Sequence, residues 1–362
     1  MQPTVRVSLP ARVNIVGSPT DAVEGAYATI SAAVDRRGGA ELTPHAALRF
    51  ERSDGGMAEF PPGRIDDPRG FLVEAAAVNA LLSHVPELAA RLSRQGVSIR
   101  TWTSVPASSG MAGSSVLVLA VLAGLREIYD LDRRRYNDYI LAEIAQRAEE
   151  LEMGVVCGFA DRYTPILGDI AYLSYHGKLH HAPLGEEPLV TYEKLGDLIH
   201  PFQLVVATTG VERNSGSVHA PMRKRYLEER GHGAGPMLDL ARRLGETAWR
   251  GKLALLAGDL SAFGRQIDRN QDLVDEMMRL CGYESGAGAE VQALVDAARR
   301  GGALGAKLTG AGGGGAIFAL PLPGHEHALA EHLVEAGRVM GLRNSEVFIL
   351  PISRDGLRVE RA

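Results

Sequence analysis

Cysteine is nearly missing: Cys157 and Cys281 are the only two in 362 residues. Two isolated thiols exclude a disulfide framework and a cysteine-rich metal site. They suit a reducing compartment, so a cytoplasmic location is expected. The histidines show no metal-ligand spacing. A basic surplus is also lacking. The formal charge of -5 offers nothing to match a nucleic-acid backbone. The longest apolar run, Val116 to Ala123, falls well short of the roughly 20 residues that cross a bilayer. Met1-Gln2-Pro3-Thr4-Val5-Arg6 has no apolar export core, so neither a signal peptide nor a membrane partner is expected. Two nucleotide motifs fail as well. Gly177-Lys178 and Gly251-Lys252 are each followed by leucine, where a Walker A loop needs serine or threonine. Gly310, Gly312 and Gly315 spell a dinucleotide pattern, but Ala316 to Leu320, ended by Pro321, reads as a strand where that motif needs a helix.

What is present has the length for two domains and a large core. Val5 to Leu9 alternates as a strand that Pro10 ends. A second alternating run from Ala11 breaks at Gly17 and Pro19, which puts Thr20 and Asp21 on a turn. Further strands are expected at Ala28 to Val34, Ser98 to Thr103, Ile170 to Tyr175, Phe202 to Thr209 and Ser345 to Leu350. Helical spacing marks Phe71 to Val85, Leu88 to Leu92, Tyr136 to Met153 (stopped by Gly154), most of Pro221 to Arg300, and His325 to Gly337. Lys307-Leu308-Thr309, a glycine cluster and Ala316 to Leu320 read as strand, tight turn, strand. The polar stretch from His180 to Gly196 suits a boundary, dividing the chain into 1–190 and 191–362. Elements alternating over two halves point to a two-domain α/β or α+β enzyme.

One stretch organises the rest. Val105-Pro106-Ala107-Ser108-Ser109-Gly110-Met111-Ala112-Gly113-Ser114-Ser115 runs straight into the apolar helix that begins near Val116. Glycines let the backbone approach a ligand, and the first N–H groups of a helix lack internal partners, so the loop predicts an anion site of the phosphate type. Capping the helix would need one hydroxyl, not two.

This loop resembles the second signature of the GHMP kinases, the galactokinase, homoserine kinase and mevalonate kinase superfamily. Pro10 to Gly17, followed by Thr20-Asp21, resembles the first signature, and Lys307 to Gly315 the third. All three stand in order. Within the superfamily the resemblance is closest to glucuronokinases. It rests on Gly17-Ser18-Pro19-Thr20-Asp21, on Gly158-Phe159-Ala160-Asp161-Arg162, and on Ser215-Gly216-Ser217-Val218-His219 with Arg223-Lys224-Arg225-Tyr226-Leu227. Val116 stands where alanine is usual, Ser217 where lysine is, and Arg12-Val13-Asn14 follows galactokinase wording.

The resemblance implies an α+β, two-domain GHMP kinase fold. Its N-terminal ribosomal-protein-S5-domain-2-like α/β domain would join a ferredoxin-like C-terminal domain, with the active site between. It implies ATP and Mg²⁺, with Pro106, Ser109, Gly110, Met111, Ala112, Gly113, Ser114 and Ser115 around the phosphates. Ser115 and Glu149 would ligate the metal, although acidic residues on a helix otherwise read as a solvated face. Asp161 would orient or deprotonate the acceptor hydroxyl with Arg12 as its companion cation; the plain alternative for Asp161 is a turn residue. Thr20, Asp21, Gly312 and Gly313 would meet the acceptor, and Arg162, Arg213 and Arg223 are the candidates to pair a substrate carboxylate. The reaction implied is phosphorylation of the anomeric hydroxyl of a uronic acid, glucuronate first. A galactose, galacturonate or heptose phosphate acceptor, and a non-catalytic sugar and ATP sensor on the same fold, are the alternatives.

Overall fold

The computed structural model describes residues 3–52, 55–180, 182–211, 216–310, 312 and 314–362, with backbone alone at 216–217. The first half runs β1 (Val5–Val16), β2 (Ala28–His45), β3 (Leu48–Glu51), β4 (Met57–Phe60), α1 (Leu72–His84), α2 (Leu88–Arg94), β5 (Gly96–Thr103), α3 (Gly113–Ile128), α4 (Asp138–Arg147), α5 (Ala160–Leu167), β6 (Ile170–Ser174) and β7 (Thr191–Lys194). The second half runs β8 (Gln203–Thr208), α6 (Gly216–His232), α7 (Pro236–Leu256), α8 (Leu260–Leu280), α9 (Ala289–Arg300), β9 (Gly305–Leu308), β10 (Ala316–Leu320), α10 (Glu326–Val339), β11 (Val347–Pro351) and β12 (Arg358–Arg361).

The first sheet has the order β12-β1-β2-β5-β3-β4, with β6 branching off β2 and β7 pairing with β6. All its pairs are antiparallel except β3 with β5. Residues Val118, Leu119, Leu122 and Leu125 of α3 are buried in one core with Leu9, Leu42 and Ile99 of the sheet. The second sheet has the order β11-β8-β10-β9, antiparallel throughout. That order, with helices in the two crossovers, is the ferredoxin-like arrangement expected from the sequence. Strands β8, β9 and β10 are buried on both faces, which explains their continuous apolar runs, whereas the edge strand β11 is only partly covered. Val205, Ala207, Ile317 and Ala319 face the helical core, whereas Leu204, Val206, Phe318 and Leu320 pack with Val13, Ile15 and Ile30 of the first sheet. This shared core joins the halves, and the ends of β1 and β9 meet along it.

Several expectations change. Pro10 does not end a strand: β1 continues to Val16 through a register shift at Pro10/Ala11. Partner β12 covers only Val5–Ser8, so the missing N–H of Pro10 falls beyond its reach. β2 likewise runs on past Val34 through Asp35 to His45. The helix expected to reach Met153 becomes a π turn over Ala148–Glu152. The division at 190/191 is crossed by the chain, because β7 and β12 both belong to the first sheet.

Candidate functional site

A cavity of about 440 Å³ lies between the halves, large enough for a small-molecule site. The loop before α3 and the first turn of that helix form one wall, contributing Pro106, Ser109, Gly110 and Ala112 from the loop and Gly113, Ser114 and Ser115 from the helix. Arg12, Asn14 and Asp21 come from the first strand and the turn after it, Glu149 from the π turn, Asp161 and Arg162 from α5, and Gly312 from the hairpin between β9 and β10. Met111 is buried beneath the loop and does not line the cavity.

Glycine shapes the seam. Gly110 sits at φ +68°, and a Cβ there would lie 3.1 Å from the Gly310 Cα. The loops of the two halves therefore touch backbone to backbone. Thr309 Oγ1 donates to the carbonyls of Ser109 (3.0 Å) and Gly110 (3.1 Å), and Arg12 Nη1 also donates to Gly110 O. This fastening keeps the N-terminal end of α3 open towards the cavity.

The serines of α3 do not cap their own helix. Ser114 Oγ donates to Glu149 Oε1 at 2.6 Å, and Ser115 Oγ to Glu149 Oε2 at 2.8 Å. The acidic run is not a solvated face either: Glu149 and Glu150 are buried, and Glu152 pairs with Arg64. A π turn is a frequent device at functional sites because it alters the phase of successive side chains. Two hydroxyls and a carboxylate converging at a helix N terminus form a hard, all-oxygen donor set. That set suits Mg²⁺ when phosphate oxygens complete the shell. Arg162 Nη2 also reaches Glu149 Oε2, and its Nη1 donates to Gly158 O at 2.8 Å.

Asp161 lies in the first turn of α5, where the helix dipole favours an anion. Arg12 holds it from β1, Nε donating to Oδ1 at 2.7 Å and Nη2 standing 2.5 Å from Oδ2. Asn14, two residues along on the same face of β1, donates to Oδ1 at 3.3 Å. Burial alone would raise the Asp161 pKa, but the charges of Arg12 and Arg162 and the hydrogen bond from Arg12 hold it below the ordinary value. About 24% of its side chain remains open to the cavity, so an ionised, accessible carboxylate results. The neighbouring Asp21 shifts the other way. Burial and then the charge of Asp161 raise it, opposed by hydrogen bonding from the start of α5. Its Oδ2 accepts from the N–H groups of Phe159 and Ala160, both at 3.1 Å.

The expected substrate contacts divide. Thr20 faces inward, its hydroxyl donating to Gly17 O at 2.7 Å, and it does not line the cavity. Arg223 is likewise not a cavity residue: Nε donates to Ala22 O (2.7 Å), Nη2 to Cys157 O (2.7 Å), and Nη1 pairs with Glu150. Its guanidinium is consumed in tying α6 to the first half. Arg213 and Gly313, along with Ser215, lie outside the described residues. Sequence reasoning passed over Asn14, although its i, i+2 relation to Arg12 on a strand was a usable signal. It also passed over two basic groups. Lys307 Nζ, fully buried, donates to Asn14 O, Ser18 Oγ and Leu308 O. Burial first, and the charge of Arg12 second, push its pKa down to about 7. His219 of α6 lines the cavity as well.

The descriptions "GHMP kinases N terminal domain" and "GHMP kinases C terminal" match residues 72–169 and 252–339, the segments carrying α3 with the π turn and the third glycine loop. The chain belongs to the GHMP kinase family. GHMP relatives span different acceptors. The chain is 27% identical to the mevalonate kinase of Pyrococcus abyssi over 366 residues, 98% of each protein. It is 28% identical to glucuronokinase 1 of Arabidopsis thaliana over 247 residues, 68% of this chain and 64% of that one. Among solved structures, Lactococcus lactis galactokinase complexed with galactose superposes with a TM-score of 0.76 at 17% identity, covering 99% of this chain and 95% of that one. This last likeness shows a common GHMP fold. No helix among the described residues is long and apolar enough to cross a membrane.

Proposed function

We propose that this GHMP kinase transfers the γ-phosphoryl group of ATP, in a Mg²⁺-dependent reaction, to a hydroxyl of a small sugar. The observation that carries the reading is the shared cavity of an ionised Asp161, held by Arg12, and the Ser114–Ser115–Glu149 cluster at the start of α3. The N terminus of α3 and the glycines of both loops suit the triphosphate. Ser115 and Glu149 would hold Mg²⁺, which when bound offsets phosphate charge. Asp161 accepts a hydrogen bond from the acceptor hydroxyl and orients it, or takes its proton, as the oxygen bonds to phosphorus and the bond to the ADP oxygen breaks. Arg12 keeps Asp161 ionised and adds positive charge beside the transfer path.

Glucuronate, phosphorylated at its anomeric hydroxyl, is the first acceptor proposed. The support is the Gly17–Asp21 and Gly158–Arg162 stretches and the similarity to a plant glucuronokinase. A second reading, a neutral sugar such as galactose, draws support from Arg162 and Arg223, whose guanidinium groups are engaged within the protein and so are not free to pair an anionic acceptor. The test is ADP release over a panel of glucuronate, galacturonate, galactose, a heptose phosphate and mevalonate, with phosphorus NMR of the product. Turnover of glucuronate to the 1-phosphate with the highest kcat/KM is the expected result. Preference for mevalonate would overturn the sugar reading.

A further inference from the structure

His219 is a cavity residue that the reaction scheme leaves unused. It lies in the first turn of α6, within the Val218-His219 part of a stretch that the sequence singled out and to which no role has been given. Its ring lines the main cavity and also a small recess of about 20 Å³ behind it. The two spaces share Ser18, Pro19, His219 and Gly310, so the ring stands at the doorway between them. The recess is otherwise mostly apolar, with Met222, Met277 and Met278 in its walls.

Among the described residues the ring forms no hydrogen bond. Nδ1 is sealed from solvent without a partner, a free-energy cost that calls for an explanation. The side chain as a whole is only partly covered, so Nε2 is the nitrogen left to meet a ligand. The charges it senses most are those of Asp161, Arg223, Arg162 and Arg12, which places it at the acceptor end of the cavity.

We propose that His219 is a specificity residue for the acceptor: its Nε2 hydrogen-bonds a sugar hydroxyl other than the one phosphorylated, from the α6 side of the cavity. The proposal rests on the sugar-kinase reading above. A neutral ring suits this task. Burial, only partly countered by Asp161, and the three guanidinium charges lower the His219 pKa to about 4, so the ring is uncharged near pH 7. A neutral imidazole has one donor and one acceptor nitrogen and matches a hydroxyl, whereas a carboxylate would favour a cation.

The experiment compares the wild type with His219→Ala and His219→Gln, using the best acceptor of the panel and its monodeoxy analogues. Loss of one hydrogen bond predicts an acceptor KM raised about tenfold in His219→Ala, with kcat and the KM for ATP changed by less than about threefold. His219→Gln, whose amide reaches the position of Nε2, recovers much of that loss. One deoxy analogue is expected to bind as poorly to the wild type as the parent sugar binds to His219→Ala, with no further loss when the two changes are combined. An unchanged acceptor KM in His219→Ala, equal losses with every deoxy analogue, or a lowered melting temperature with normal KM overturns the assignment. These outcomes are separable from failure of the sugar reading. If mevalonate is the preferred acceptor, the sugar-hydroxyl contact falls with that reading. If a sugar is preferred and His219→Ala binds it normally, only the contact falls.

Discussion

Arg12 and Asp161 are 149 residues apart in sequence and meet in a two-point ion pair, at 2.7 and 2.5 Å, where β1 passes the first turn of α5. A guanidinium fork matches a carboxylate in this way, and a lysine cannot. The pair sets the ionisation of Asp161. Burial pushes the carboxyl up, and the guanidinium charges bring it below its ordinary 3.8. Its contribution to stability is therefore complete above that value and is lost as the pH falls through the lower folded value. Asp161→Asn is expected to lower kcat by about 10²–10⁴ with ATP affinity nearly unchanged. Arg12→Met removes the charge that opposes burial, so the acid limb of the kcat/KM profile should move to higher pH. A limb that stays in place would refute the role given to Arg12.

Ser115 is the cleanest probe of the metal end. Ser115→Ala removes one hydroxyl donor to Glu149 and leaves the carboxylate paired with Arg162. The Mg²⁺ concentration for half-maximal rate should rise about tenfold, and thermal unfolding of the free protein should shift little. Titration of Mg²⁺ at saturating ATP measures the first, and calorimetry the second. A metal requirement equal to that of the wild type would remove Ser115 from the ligand set.

Arg223 should behave as a structural residue. Arg223→Ala removes the Arg223 guanidinium from Glu150, which keeps the hydrogen bond from Gln146; breaking such a buried pair costs about 3–5 kcal/mol. Urea unfolding should show that loss. At a temperature where the variant is folded, its acceptor KM should remain near the wild-type value. A stable variant with a much raised acceptor KM would instead return Arg223 to the substrate.

Gly158 leaves no room for a side chain, because a Cβ there would run into the carboxylate of Asp21. Gly158→Ala must displace either Asp21 or the start of α5, where Phe159 and Ala160 donate to it. The expected outcome is a rise in acceptor KM of about tenfold or more from losing a charged hydrogen-bond arrangement, with a smaller change for ATP. Equal effects on both substrates would point to a general collapse of the site.

Lys307 makes a prediction about pH and stability. Its folded pKa is lowered from 10.5 to about 7, so between those values the unfolded chain binds the extra proton. Stability from this group therefore rises with pH across that window. Lys307→Met lacks this component. The difference in unfolding free energy between wild type and variant should grow in favour of the wild type from about pH 7 to pH 9. A difference independent of pH would mean that Lys307 stays charged in the folded state.

Much of this site was legible as local pattern. The loop from Pro106 to Ser115, the Lys307 to Gly315 hairpin and the turn carrying Asp21 are contiguous stretches whose glycine and hydroxyl content reports backbone approach and helix starts. The strand after Gly315 was readable too, since β10 is a short apolar run closed by proline. Less legible were the fates of long polar side chains. Arg162 and Arg223 look alike as candidates to pair a substrate carboxylate, yet one lines the cavity and the other crosses to Glu150. Pro10 misled because a proline is judged by its own N–H, and whether a neighbouring strand needs that N–H depends on β12, near the other end of the chain.

Sequence by itself determined the glycine loops and the kinase family, because each is written in residues close together in the chain. Tertiary structure alone decided which charges meet. Arg12 finds Asp161, Glu149 finds both serines, and Arg223 is taken by Glu150, through contacts over 34 to 149 residues. Charge pairing inside a protein depends on distance and burial, which no spacing along the chain encodes.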